Sequence, residues 1–474
     1  PKEIPFFSEL FCLYAHLFVG FALPFPFFSA ALAGKRGQYV TISRQYGFTL
    51  KPCCKKRLFY FANLFDYHTK IRRQPLTFFW LDVIILGNIP HVDVMRQSRN
   101  MRIQIIRGKG VSSNMSENQK FFPNYTVGPD AYDAIETVCS RYGTKAVAIG
   151  GKRALAAAKP ALEKALKNSS IEIIAYEWYG GEASLENSEM LMNLDSYKQA
   201  DMVFAFGGGK AIDTCKYASL ISGKPFFTFP TIAATCAPAS AEAIMYYPNG
   251  VARDTYECHK PAIHVFINTD IIAKAPDVYL WAGIGDTMAK HFETSLAARG
   301  RNDLSFTQAL GVEVGTMCYR PLVQYGAKAL EDCKADHTSE ELEQIALTNI
   351  ITTGIVSGCV GVTINSNIAH ALCYGLTVLH QIEKNHLHGE VVSYSTLVLL
   401  MIDGQMDKVD ELYPLYKAIK LPTKLADLEV SRDELGPVVE KMLSVDDIKY
   451  VPYKVTEEMV YNAIDALEEY NKTH

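Results

Sequence analysis

Eleven cysteines are spread along the 474-residue chain without a CxxC pair or a zinc-ribbon spacing, and Cys53–Cys54 is the only close pair. This excludes a disulfide scaffold or a local structural zinc site. What remains is reduced thiols of the kind kept in the cytoplasm, with buried cysteines acting as small apolar residues. A GxGxxG turn is absent as well, so the usual dinucleotide fingerprint does not apply. There is no internal repeat and no low-complexity tract, which excludes a solenoid or a disordered linker protein. Acidic residues are scarce only at the front. Residues 1–114 hold 16 Lys/Arg against 5 Asp/Glu, and the remaining 360 hold 31 against 46. An acidic body of that size argues against nucleic acid as a partner. With 49% hydrophobic and 21% charged residues, the chain has the composition of an ordinary globular protein and the length for two or three domains.

Residues 1–114 do not resemble the rest. They carry 14 of the 24 phenylalanines and show little helical periodicity. Residues 10–33 are apolar for long enough to span a bilayer, with Lys35 and Arg36 just after. Against an anchor stand His16, Pro24 and Pro26 inside the run and the lack of a small-residue cleavage pattern. The expectation is an atypical extension, non-native or membrane-associated, with an enzyme-like start at Met115.

From Met115 onward the pattern is α/β. Strands are expected at Lys145–Ile149, Ile171–Tyr176, Met202–Phe206 and Phe226–Phe229, with a further one at Val265–Ile267, and helices at Arg153–Lys167, Met190–Lys198 and Ile212–Ile221. Such alternation predicts right-handed crossovers and a parallel, Rossmann-like sheet over 115–275. After Pro276 strand signals fade. Helices are expected at Thr287–Arg299, Ser305–Asp332, Ser339–Val356, Asn367–His380, Val391–Met401 and Thr456–Tyr470, giving an all-α domain over 276–474.

Two groups of residues carry chemistry. Gly207, Gly208, Gly209 and Lys210 come after a strand and open a helix, where bare N–H groups and the helix dipole favour a phosphate. Asp213 is expected in the first turn of that helix, and Lys210 is placed to neutralise a phosphate. The small residues Pro230–Ser240 leave room for a flat ring. The second group is Asp286, His370 and His388, one carboxylate and two imidazoles, the donor set of a three-ligand metal site with an open position. Their spacings of 84 and 18 residues match no local zinc signature. Each has an ordinary reading too: Asp286 as a helix cap or a partner for Lys290, His370 as a core residue, and His388 in competition with His386.

The segments FGGGKAIDTCK, PTIAATCAPASAEAIMY, GIGDTMAKHFE, AHALCYGLT and HGEVVSY, in this order, resemble the glycerol dehydrogenase branch of the iron-containing alcohol dehydrogenases. The resemblance runs from about Tyr125 to the C-terminus. It implies a nucleotide-binding α/β domain and a helical domain, as in dehydroquinate synthase, with a cleft between. It implies that Gly207 to Lys210 hold the pyrophosphate of NAD, or of NADP, and that Thr231, Ile232, Ala233, Ala234, Ser240 and Tyr246 line the cofactor path. It also implies that Asp286, His370 and His388 bind one divalent metal, zinc favoured over iron, and act in hydride transfer to or from a small alcohol, polyol, aldehyde or ketone. The family's further histidine position is Lys290 here. Where the branch reads PTIASTDAP and AHAIHNG, this chain has Cys236, Cys373 and Tyr374, so altered substrate contacts are expected. Glu242 takes a usually apolar position. The other readings of the same residues are a glycerol-1-phosphate dehydrogenase, a dehydroquinate synthase-like lyase, and a degenerate nucleotide- and metal-binding protein. A cytoplasmic homo-oligomer completes the expectation.

Overall fold

The computed structural model describes residues 30–33, 39–42, 120–258 and 260–474. Within Pro1–Gly110, the strands Ala30–Ala33 and Tyr39–Ile42 pair antiparallel. The rest of the apolar run at 10–33, the rest of the expected extension and Met115 lie outside the described residues. Among the described residues no helix is long and apolar enough to cross a membrane. The second and larger compact unit is Val111–His474.

Six parallel strands form its sheet: β1 (Tyr125–Gly128), β2 (Lys145–Gly150), β3 (Glu172–Trp178), β4 (Met202–Gly207), β5 (Phe226–Pro230) and, after an antiparallel hairpin of β6 (Glu242–Tyr246) and β7 (Ala252–Glu257), β8 (His264–Asn268). Their order is β1-β8-β5-β4-β2-β3. The β4 sequence shows why the sheet is covered on both faces. Met202, Phe204 and Phe206 join one apolar cluster with Phe227, Phe229 and Phe266, whereas Val203 and Ala205 join another with Val147, Ile149 and Ile212. A strand apolar on both sides needs helices above and below, which only parallel crossovers supply. Phe206, Phe229 and Phe266 stack in sequence at 4.5 and 4.8 Å between ring centres.

The chain leaves β2 for β3 on one side and returns to β4 on the other. The crevice beyond the C-terminal ends of β2 and β4 is therefore the point where strand order reverses, the place where open α/β sheets bind ligands. Register makes the ends level: Gly150 pairs with Phe206 and Gly207 with Pro230. The crossovers include α1 (Lys152–Leu166), α2 (Leu185–Asn193) and α3 (Gly209–Ser222). The helix expected over Met190–Lys198 is two pieces, α2 and a short Asp195–Gln199, because Leu194 between them is extended.

Past β8 the chain is helical. The longer elements are α4 (Asp277–Ala298), α5 (Phe306–Gly315), α6 (Arg320–Lys334), α7 (Glu340–Leu347), α8 (Thr353–Val360), α9 (Ile368–Leu376), α10 (His388–Ile402), α11 (Met406–Ile419), α12 (Leu435–Ser444) and α13 (Glu457–Thr473). Eleven of the fifteen residues of α10 are buried, and it packs on α4, α9 and α13. Three expectations from sequence change here. The stretch Ser305–Asp332 breaks at a 3-10 turn over Thr316–Cys318, and Ser339–Val356 is interrupted by a π turn over Thr348–Thr352. The helix expected from Thr287 begins ten residues earlier, at Asp277. It continues through Gly283 and Gly285 because both glycines face neighbouring backbone at close range, which outweighs their poor helix propensity.

Candidate active site

Asp286 stands in the third turn of α4, not at a helix opening, so it is not a cap. Two close approaches set its position. A Cβ on Gly285 would lie 2.3 Å from the Gly389 carbonyl oxygen, and one on Gly389 would lie 1.9 Å from that of Ala282. Glycine on both helices lets the α4 and α10 backbones touch, and that contact sets Asp286 beside His388, the first residue of α10. His370 comes from the first turn of α9. The Nε2 atoms of His370 and His388 lie 3.6 and 3.4 Å from Asp286 Oδ1. One donor atom from each of the three residues lies within 4.8 Å of the others. Residues 84 and 18 positions apart therefore meet, and His388 rather than His386 is the second imidazole. The His386 ring nitrogen Nδ1 faces Glu390 at 3.0 Å instead.

Each imidazole has its other nitrogen occupied. His370 Nδ1 is 2.6 Å from Glu293 Oε2, and His388 Nδ1 is 3.6 Å from Cys373 Sγ. Both Nε2 atoms are thereby turned to the Asp286 side. Glu293 is wholly buried and does more than orient a ring. Its Oε1 accepts the backbone N–H groups of Asn367 and His370 at 2.8 and 2.9 Å, so it also closes the N-terminus of α9. Burial by itself would depress His370; the Glu293 carboxylate and the bond to Asp286 outweigh it and raise the ring to about 9. Burial would raise Asp286, and the two imidazoles reverse that and hold it well below the usual carboxylate range. Lys290, one turn after Asp286, donates to the carbonyl and side-chain oxygens of Asn365 at 3.1 and 2.9 Å and is not part of the cluster.

A cleft of about 1160 Å³ opens at the strand-order reversal. Gly207, Gly208, Gly209, Lys210, Thr231 and Ile232 line it. Gly207 has φ +139°, a conformation that side chains rarely adopt, and a Cβ on Gly208 would strike Ile232 at 2.5 Å. No side chain caps α3, so its first amides are free for a ligand. Lys210 is already engaged, 2.7 Å from Glu182. Asp213, Ala233, Ala234, Ser240 and Tyr246 do not line this cleft. Asp213 lies beyond the first turn of α3, which starts at Gly209; its carboxylate is buried against Lys216 at 2.9 Å and accepts the Ile244 N–H, tying α3 to the hairpin. Ser240 serves the same tie through Lys216, and Tyr246 lies under Lys210. Ala233 and Ala234, which follow the cleft residues Thr231 and Ile232, pack on α4 instead: a Cβ on Gly283, three residues before Asp286, would meet the Ala233 oxygen at 2.2 Å and Ala234 at 3.1 Å.

Comparison with known proteins is consistent with this geometry. A family profile described as "Iron-containing alcohol dehydrogenase" matches residues 123–265. Glycerol dehydrogenase of Thermotoga maritima is 32% identical over 363 residues, covering 74% of this chain and 97% of that protein. Hydroxycarboxylate dehydrogenase A of Escherichia coli is 33% identical, covering 69% and 90%. The crystal structure of a probable glycerol dehydrogenase from Sinorhizobium meliloti superposes with a TM-score of 0.66 at 26% identity, over 75% of this chain and 99% of that one. The chain belongs to the iron-containing alcohol dehydrogenase family. It is an oxidoreductase, and the family implies NAD, a divalent metal and a small alcohol or polyol substrate.

The residues present fit both implied groups. Two imidazoles and a carboxylate, with both rings locked from behind, form a donor set for a divalent cation. The bare glycine turn at the end of β4 fits a pyrophosphate. Reading the sequence missed two buried residues that hold this arrangement in place. Glu293 lies seven residues after Asp286, two turns along the same face of α4, and that spacing is the signal that would have found it. Asn349 sits in the π turn and donates to the Ala233 carbonyl at 2.9 Å; nothing in its local sequence marks it.

Proposed function

We propose that this chain oxidises a small alcohol or diol, or reduces the matching aldehyde or ketone, with Asp286, His370 and His388 holding one divalent metal, zinc favoured. The meeting of Asp286 Oδ1 with the two Nε2 atoms beside a nucleotide-sized cleft carries this reading. When bound, the metal supplies Lewis acidity to the substrate oxygen and the nicotinamide supplies or accepts the hydride. Glu293 and Cys373 orient the two imidazoles, and the turn Gly207–Gly209 with Thr231 and Ile232 binds the dinucleotide. Cys236 presents a neutral thiol, because burial pushes it up to about 11. A thiol in that place accepts hydrogen bonds less well than a carboxylate would. This supports a preference for substrates with fewer hydroxyls than glycerol, such as diols and small carbonyl compounds.

The test is metal content by mass spectrometry alongside turnover of a panel of polyols, diols, aldehydes and ketones. One equivalent of metal is expected, with loss of metal and turnover in His388→Ala while dinucleotide binding persists. Turnover unchanged after exhaustive chelation, or glycerol as the best substrate, would contradict the respective parts of the reading.

A further inference from the structure

The second glycine turn of the cleft, at the end of β2, differs from the first. Gly150 admits no side chain, since a Cβ there would lie 2.3 Å from the Phe206 carbonyl oxygen. Gly151 is under no such constraint. Its φ and ψ of −69° and 145° suit any residue, and a Cβ would find only Tyr179 and Ala154 at 3.8 and 3.9 Å. In a sheet wound this way, the end of the strand beside the pyrophosphate turn meets the adenosine ribose, and an acidic residue near it selects a free 2′-hydroxyl. Here the position has room for a carboxylate and carries glycine.

Directly after Gly151 come Lys152 and Arg153, the first two residues of α1. The N-terminal turn of a helix disfavours cations, and α1 has no acidic residue there to compensate. A local preference broken at a cleft is explained by an anion that occupies the cleft. The charge balance agrees. Five cations line the cavity, Lys152, Arg153, Lys164, Lys210 and Lys274, against a single carboxylate, Asp270. Asp270 is engaged by Thr338 at 2.6 Å and Lys210 by Glu182. Among the described residues, Arg153 has no ion-pair partner, and Lys152 lies 5.0 Å over the Trp178 ring. The nearest carboxylate on β3, Glu177, accepts from Ser196 at 2.7 Å and does not line the cavity.

We propose that the cleft prefers a nicotinamide dinucleotide phosphorylated on its adenosine ribose, with Lys152 and Arg153 as the phosphate ligands and Gly151 leaving the space. This rests on the reading of the cleft as the dinucleotide site. A ribose phosphate adds about 1.5 to 2 negative charges at pH 7, and a guanidinium at the cleft rim binds it through paired N–H groups.

Calorimetric titration of the full chain with NADPH and with NADH tests the proposal by binding, independent of turnover. NADPH is expected to bind at least about tenfold more tightly, and the gap to narrow as salt is raised. In Lys152→Ala/Arg153→Ala the NADPH affinity falls by about tenfold or more while that for NADH changes far less. Gly151→Asp reverses the preference. It should also fold, because aspartate is a favoured residue at this N-cap position, and thermal unfolding checks this. Equal or tighter binding of NADH by the unaltered chain, or variants that weaken both nucleotides alike, would overturn the phosphate preference alone. Binding of neither nucleotide would overturn the dinucleotide reading with it.

Discussion

Glu293 stands behind the cluster. It is a buried carboxylate with donors from two backbone amides and one imidazole, so removing its charge affects His370 first. Glu293→Gln keeps the shape and offers His370 Nδ1 a weaker acceptor. We expect metal affinity to fall by about 10–100-fold, read by competition with a chelator, with the fold preserved by circular dichroism. Two histidines outside the cluster set an acid limit. Burial lowers His264 to about 4; burial, with Lys408 and Arg320 nearby, lowers His291 to about 4. Each is neutral when folded and binds a proton more readily when unfolded. At these two histidines the unfolded state thus takes up more protons between about pH 6.5 and 4, and their contribution to stability falls as pH is lowered through that window. Urea midpoints measured at about pH 7 and about pH 5.5, above the ordinary carboxylate range, should decline. The decline should flatten in His264→Gln, which keeps a partner for Thr126.

Among the elements, the α4–α10 crossing is the one on which the site depends. Gly285→Ala places a methyl group 2.3 Å from the Gly389 oxygen, and backbone cannot yield as a side-chain tip does. The expected cost is about 1–3 kcal/mol, as for other overpacked contacts, and the helices must separate, which pulls Asp286 from His388. Melting temperature and metal affinity should fall together. Gly358→Ala is the contrast. It lies in α8 with nothing within 4 Å of the added Cβ, so a gain of about 0.5–1 kcal/mol is expected from helix propensity. Equal losses in the two variants would show that close approach is not what the α4 glycine provides.

For the whole molecule, helices from two distant stretches of sequence, α4 and the neighbouring pair α9 and α10, converge on one cluster, so ligand binding there is coupled to folding of the helical half. Zinc at about 100 times its Kd should add about 2.7 kcal/mol of stability by mass action. Hydrogen exchange should show the gain at the first turns of α9 and α10 more than in the sheet. Uniform protection across sheet and helices would place the metal elsewhere.

The alternation of apolar strands and helices is legible in the sequence because both periods are local. Most strands lie within two residues of their expected bounds, and the motifs of the cluster can be named. The elements that escape such reading have weak local signals. Strand β1 is four residues long, the β6–β7 hairpin is half exposed, and α11 carries a proline. The sequence by itself determined the parallel sheet, the glycine turn and which three donors were candidates, since each is written in a short segment. Tertiary structure alone decided that Asp286 lies inside a helix, that His388 and not His386 joins it, and that Asp213 pairs with Lys216 and the Ile244 amide. Those outcomes depend on how closely two backbones approach, and no short segment specifies that distance.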